Sequence, residues 1–201
     1  MIAAESQGMS EPRIIIFMKA PRPGLVKTRL ADVIGPENAC DAYCKLVQNM
    51  MNSLAILPHA ELRYTPDDAE PEILQWLYEG WTAVPQGGGG LGERMQRAIT
   101  EAQCPVVLIG SDCPEINLTD IAAARGALGK KDVVIGPAVD GGYWLIGLRS
   151  PCPALFDGIQ WSTRNVLKET LARSEKAGLS VHMLRELADV DTVEDWAAFN
   201  K

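Results

Sequence analysis

Short unbroken apolar runs alternate along this chain with longer stretches whose apolar positions recur every three or four residues. That alternation predicts strands and helices in turn. Residues 14–17 (Ile-Ile-Ile-Phe) and 106–109 (Val-Val-Leu-Ile) carry no polar position, as expected of central strands covered on both faces. Residues 61–65 (ended by Pro66), 81–84, 132–135, 143–148 and 179–184 read as further strands. Helical spacing through Ala39, Tyr43, Leu46, Val47, Met50 and Leu54 predicts a long helix over residues 36–57, with Pro36 in its first turn. Shorter helices are expected over 71–79, from Leu91 onward, over 118–128 with Asn117 or Thr119 as cap, and over 164–176, ended by Gly178. A last helix follows Thr192, which with Asp195 fits a capping box. The expected fold is therefore three-layer α/β/α around a central, mostly parallel mixed sheet.

Composition narrows this little. A chain of 201 residues with 47% hydrophobic content holds one sizeable core. With no repeat or dividing linker, a single domain over residues 13–201 is expected behind a short polar leader over 1–12. The leader lacks the basic and apolar segments of a signal peptide, and no apolar run is long enough to span a membrane. The net charge of −7 argues against nucleic acid as a general partner. The five cysteines are odd in number and irregularly spaced, without Cys-x-x-Cys, and read as reduced thiols of a cytoplasmic protein.

The candidate chemistry falls where the apolar runs stop. Gly110 and Pro114 end the strand at 106–109 abruptly and leave Asp112 at its carboxyl end, where open α/β sheets bind ligands. Asp112 is a candidate ligand for Mg²⁺ or Mn²⁺ at a nucleotide diphosphate, or else the side chain of an Asx-turn. The segment after the first strand gathers Lys19, Arg22, Lys27 and Arg29 around Pro23 and Gly24, in an otherwise acidic protein. It is a candidate phosphate cradle, or an ordinary solvated loop. It matches neither a Walker A loop nor Gly-x-Gly-x-x-Gly. The run from Gly87 to Gly90 feeds a helix start, so Gly89, Gly92 and Arg94 are candidates to meet an anion. Asp140, Gly141 and Gly142 offer either a close approach to substrate or a plain hairpin turn. Asp189 and Asp191 alternate in extended chain before the last helix and face one way. They serve that helix electrostatically, or one of them joins Asp112 on the metal, with Asp191 the stronger candidate. The Asp191 carboxylate is then expected within roughly 5–7 Å of that of Asp112. His59 and His182 sit in contexts that suggest no role.

Five stretches together resemble a known family: Lys19-Ala-Pro-Arg-Pro-Gly-Leu-Val-Lys-Thr-Arg-Leu30, Leu91-Gly-Glu-Arg-Met95, Gly110-Ser-Asp-Cys-Pro114, Asp140-Gly-Gly-Tyr-Trp144 and Asp189-Val-Asp-Thr-Val-Glu-Asp195. The family is DUF2064, of GT-A fold, whose members are described as radical-SAM/selenodomain-associated transferases and are similar to 2-phospholactate guanylyltransferases. The resemblance covers nearly all of the chain after residue 12. It implies a nucleotide-diphospho-sugar transferase fold, phosphate binding by the first loop and a divalent metal on Asp112. The substrate it implies is a nucleotide-activated small molecule. Two departures stand out: Gly90 replaces an acid frequent in the family, and Ser111-Asp112-Cys113 offers one carboxylate where most GT-A glycosyltransferases have Asp-x-Asp. The functions in view are glycosyl transfer from a nucleotide sugar, nucleotidyl transfer to a phosphorylated acceptor, and non-catalytic binding of a nucleotide sugar.

Overall fold

The structure, a computed structural model, describes residues 10–103 and 105–200; most of the expected leader and Cys104 lie outside them. Seven strands form one sheet: β1 (Arg13–Lys19), β2 (Glu61–Thr65), β3 (Thr82–Pro85), β4 (Val106–Gly110), β5 (Val133–Pro137), β6 (Tyr143–Leu148) and β7 (Val181–Met183). Their order is β3-β2-β1-β4-β6-β5-β7. All neighbours pair in parallel except β4–β6 and β5–β6, so β6 alone runs against the rest.

The apolar runs at β1 and β4 are unbroken because both faces of these strands are covered. Ile14, Ile16, Met18, Val107 and Ile109 pack into one cluster with α2 (Pro36–Leu54) and α5 (Leu118–Leu128). Their alternates Ile15, Phe17, Val106 and Leu108 pack into a second cluster with α4 (Leu91–Ala102) and α6 (Val166–Lys176). Each such aliphatic side chain contributes about 1.5–3 kcal/mol on burial, which fixes the two central strands more firmly than any cap. A third small cluster joins α1 (Thr28–Ile34) to α2 through Leu30, Ala39 and Ala42, with α7 (Val193–Phe199) packed on it through Val193 and Trp196.

Several details differ from the sequence expectation. The basic segment holds a helix, α1, that no sequence signal announced: Lys27 is its N-cap, in the left-handed region, and its side chain makes no cap bond. The helix expected over 71–79 is a single turn, α3 (Glu70–Ile73), followed by a 3₁₀ turn at Leu74–Trp76. The strand expected over 179–184 shortens to three residues, and Ser180 just before it is held by the Asp132 carboxylate. Of the two caps offered for α5 it is Asn117 that serves, its side chain accepting from Thr119 N–H, and the expected capping box is formed, with Thr192 and Asp195 bonding reciprocally. No helix among the described residues is long and apolar enough to cross a membrane. Cys40, Cys44, Cys113 and Cys152 are free thiols.

Candidate active site

A cleft of about 590 Å³ opens at the carboxyl ends of β1 and β4. The sheet topology builds it. After β7 the chain runs beside the end of β5, with Ala138 bridged to Leu187 and Val139 N–H bonded to the Leu187 carbonyl. It then crosses to the end of β4, where Val190 N–H meets the Asp112 carbonyl at 3.4 Å. Residues 189–191 are thereby set beside Asp112, although the two segments are remote in sequence.

Lys27 is the joint of the site. Its Nζ lies 2.7 Å from Asp112 Oδ1 and 3.0 Å from Asp191 Oδ1, and its side chain is only 2% exposed. Arg29 adds a longer contact to Asp191 Oδ2, at 3.7 Å. Burial works against the Lys27 ammonium, but the two carboxylates outweigh it and raise its pKa above the ordinary lysine value. Both carboxylates thus sit on the same side of the sheet. Each also stays open to the cleft, with Asp112 56% and Asp191 38% exposed at the side chain. Asp189 is more enclosed: Cys113 Sγ donates to its Oδ1 at 2.6 Å. Burial, with Asp112, Asp140 and Asp191 nearby, raises the Asp189 carboxyl to about 6, and the Cys113 bond only partly offsets that. Burial likewise pushes the Cys113 thiol well up.

Two side chains without a sequence signal hold the cleft floor. Tyr43, on α2, is buried; its hydroxyl accepts from Lys19 N–H at 3.1 Å and donates to the Lys19 carbonyl at 2.9 Å. It also lies 3.3 Å from Ser111 Oγ, so it ties the end of β1 to the turn carrying Asp112. Gln86, just after β3, donates from Nε2 to the carbonyls of Met18 and Arg63, and its Oε1 accepts from Arg94. Gln86 thereby fixes Arg94 at the cleft wall. A polar tip on the apolar face of α2 and a glutamine between a strand and a glycine run were the only traces of either role in the sequence.

The sequence candidates separate by position. Lys19, Lys27, Arg29, Arg94, Asp112, Asp140, Gly142 and Asp191 line the cleft, together with Tyr143, Trp161, Ser162 and Asp189. Pro23, Gly24, Gly89, Gly92 and Gly141 are not among its lining residues. Arg22 is taken up elsewhere, bonded to Glu72 and paired with Asp68. The glycine run is a strapped loop: Arg97 donates to the carbonyls of Gln86 and Gly88, and Gly87 N–H donates to Asp67. A Cβ at Gly92 would stand 2.4 Å from Nε1 of Trp161, so this glycine makes room for that indole. Gly141, with φ +90°, leaves no space for a Cβ against the Arg164 carbonyl. Asp140 Oδ1 accepts from Gly142 N–H at 2.8 Å, the Asx-turn geometry, at the rim of the cleft.

Among the described residues no three acidic, histidine or cysteine side chains are grouped to hold a metal alone. Asp112 and Asp191 do fit an ion that keeps most of its coordination for phosphate oxygens and water, as Mg²⁺ does.

The mixed sheet with helices on both faces, and a cleft at the strand ends, is a nucleotide-diphospho-sugar transferase-like fold. The chain belongs to the DUF2064 family, described as uncharacterised protein conserved in bacteria, whose family model matches residues 53–163. No curated protein matches it. It is 42% identical to a protein of Desulfovibrio desulfuricans G20 described provisionally as a nucleotide-diphospho-sugar transferase, with 95% of this chain and 87% of that one covered and a TM-score of 0.85. More distant likenesses concern the fold alone. CMP:2-keto-3-deoxy-manno-octonic acid synthetase, solved with CTP, is 13% identical over 95% of this chain and 99% of that one, with a TM-score of 0.53. Rv0371c of Mycobacterium tuberculosis H37Rv, solved with manganese, is also 13% identical, over 93% and 97%, with a TM-score of 0.52.

Proposed function

We propose that this protein is a metal-dependent transferase that takes a glycosyl group from a nucleotide sugar. The observation that carries this reading is the convergence of Asp112, at the end of β4, and Asp191, before α7, on the one ammonium of Lys27. Two carboxylates and a buried cation at the carboxyl end of a central strand suit a diphosphate and its divalent ion. Mg²⁺ or Mn²⁺ held by Asp112 and Asp191 would supply charge neutralisation for the departing nucleoside diphosphate. Lys19, Arg29 and Arg94 bind phosphate oxygens from the cleft wall, and Gln86 keeps the Arg94 guanidinium in place. Asp140 and Gly142, which also line the cleft, contact the transferred group. The kinship with the Desulfovibrio desulfuricans protein supports the choice of donor.

Nucleotidyl transfer to a phosphorylated acceptor is the second reading. It is favoured by the single carboxylate after β4 with a distant partner in place of Asp-x-Asp, and by the CTP-bound fold relative. Arg22 weakens it, because its pairing with Glu72 and Asp68 removes one of the four basic side chains that suited a triphosphate. The test is incubation with Mn²⁺ and separate panels of nucleotide sugars and nucleoside triphosphates. Release of nucleoside diphosphate from a nucleotide sugar supports glycosyl transfer. Pyrophosphate release from a triphosphate overturns it in favour of the second reading.

A further inference from the structure

We propose that Lys27 is a resident cation of the site: in the nucleotide-free protein its ammonium holds the place between Asp112 and Asp191, and a divalent ion enters only with the phosphates that draw Lys27 away. This rests on the reading of Asp112 and Asp191 as the cation site. The contacts of 2.7 and 3.0 Å put Nζ between the two carboxylate oxygens, in the gap an ion bridging them would use. An ion at Mg²⁺ or Mn²⁺ bond lengths from those two oxygens competes with the ammonium for them, and the two like charges repel at that range.

The backbone commits Lys27 to this position. It has φ 45° and ψ 48°, a conformation that non-glycine residues seldom take and that concentrates at ligand sites. Its carbonyl starts α1 by accepting from Ala31 N–H, while its side chain turns inward to 2% exposure. Its ammonium donates to Asp191 Oδ1 and is ion-paired with Asp112 Oδ1, and phosphate oxygens are charged acceptors of the same kind that could claim it. The exchange balances charge: the carboxylates trade an ammonium for a metal ion, and the ammonium trades carboxylates for phosphate. Cation and nucleotide affinities must then rise together, since such coupling is reciprocal.

The backbone that carries the two acids is held by bonds that do not involve the Lys27 side chain. Val190 N–H bonds to the Asp112 carbonyl, Asp191 N–H donates to Asp195, and Cys113 holds Asp189. Replacing the Lys27 side chain therefore leaves the bonds that bring these two segments together in place.

The test is titration of the full chain with free Mn²⁺, following the electron paramagnetic resonance signal of the unbound ion, in wild type, Lys27→Met and Lys27→Gln, each first checked for a cooperative melt. Each variant is expected to bind one free Mn²⁺ at least about tenfold more tightly than wild type, since a charge that competes for the same acids is gone. Adding Asp112→Asn to either variant should abolish that gain. GDP, CDP and UDP are then added in turn, and at least one should tighten Mn²⁺ binding to wild type more than to Lys27→Met. Equal or weaker Mn²⁺ binding in folded variants overturns the role of Lys27, and leaves the cation site standing if wild type still binds Mn²⁺ with nucleotide through Asp112. Absence of Mn²⁺ binding in every form, with and without nucleotide, overturns the cation site and the proposal together.

Discussion

Tyr43→Phe should loosen the floor of the cleft without disturbing the core. The ring remains, so the apolar packing of α2 on the sheet is kept, and only the hydroxyl is lost. That hydroxyl is buried and serves three neighbours: Lys19 N–H, the Lys19 carbonyl and Ser111 Oγ. Its one proton goes to a single acceptor at a time, so the three contacts do not add up to three full bonds. The substitution leaves the backbone N–H and carbonyl at the end of β1 short of partners in a partly buried place. The expected cost is about 2 kcal/mol, within the range for orphaned polar groups. For a chain of this size that lowers the melting temperature by about 4–8 °C. Because the same hydroxyl links Lys19 to the turn carrying Asp112, nucleotide affinity measured by calorimetry should fall as well. A melting temperature within about 1 °C of wild type, with unchanged affinity, would refute the view that this tyrosine joins the two strand ends.

Asp112→Asn should keep the fold and remove most metal-dependent turnover; a variant with wild-type turnover and the same metal dependence would discard Asp112 as a ligand. Arg29→Ala and Arg94→Ala should each weaken nucleotide binding by about 1–3 kcal/mol, the range for hydrogen bonds to charged groups, and wild-type affinity in both would reduce them to surface charges. Gly92→Ala should cost about 1–3 kcal/mol as an overpacked contact with the Trp161 indole, and a chemical denaturation midpoint equal to wild type would show that the ring moves aside freely.

How legible each part was follows from where its cause lies. β1 and β4 could be read because burial on both faces excludes polar residues, and that exclusion is local in sequence. The caps at Asn117 and Thr192 could be read because each motif is complete within four residues. α1 could not: only Leu30 is buried along it, and its first residue is set by the left-handed Lys27, whose conformation answers to distant carboxylates. The helix expected after Pro71 stops after one turn, and only Ile73 of that turn is buried. The nearness of Asp191 to Asp112 depends on β6 lying between β4 and β5 and on the return of the chain after β7, which is a property of strand order. Gln86 was illegible for the same reason. Its amide is placed by the backbones of β1 and β2, and nothing beside it in the sequence encodes that.

The charge pattern of the cleft follows from the same topology and, on the proposed reading, restricts how a nucleotide can enter. Lys19, Lys27 and Arg29 come from the end of β1 and the start of α1, and Arg94 comes from α4. Asp112, Asp140, Asp189 and Asp191 come from the end of β4, the turn between β5 and β6, and the segment before α7. These charges balance, so the cleft as a whole does not pull in a polyanion, and its four acids repel one. On the proposed reading a diphosphate gains by lying against the basic side chains, and its remaining charge then meets Asp112 and Asp191. A divalent ion between them would turn that repulsion into attraction. On the proposed reading, nucleotide and metal therefore need each other, and Lys27, paired with both Asp112 and Asp191, is the charge that both must move.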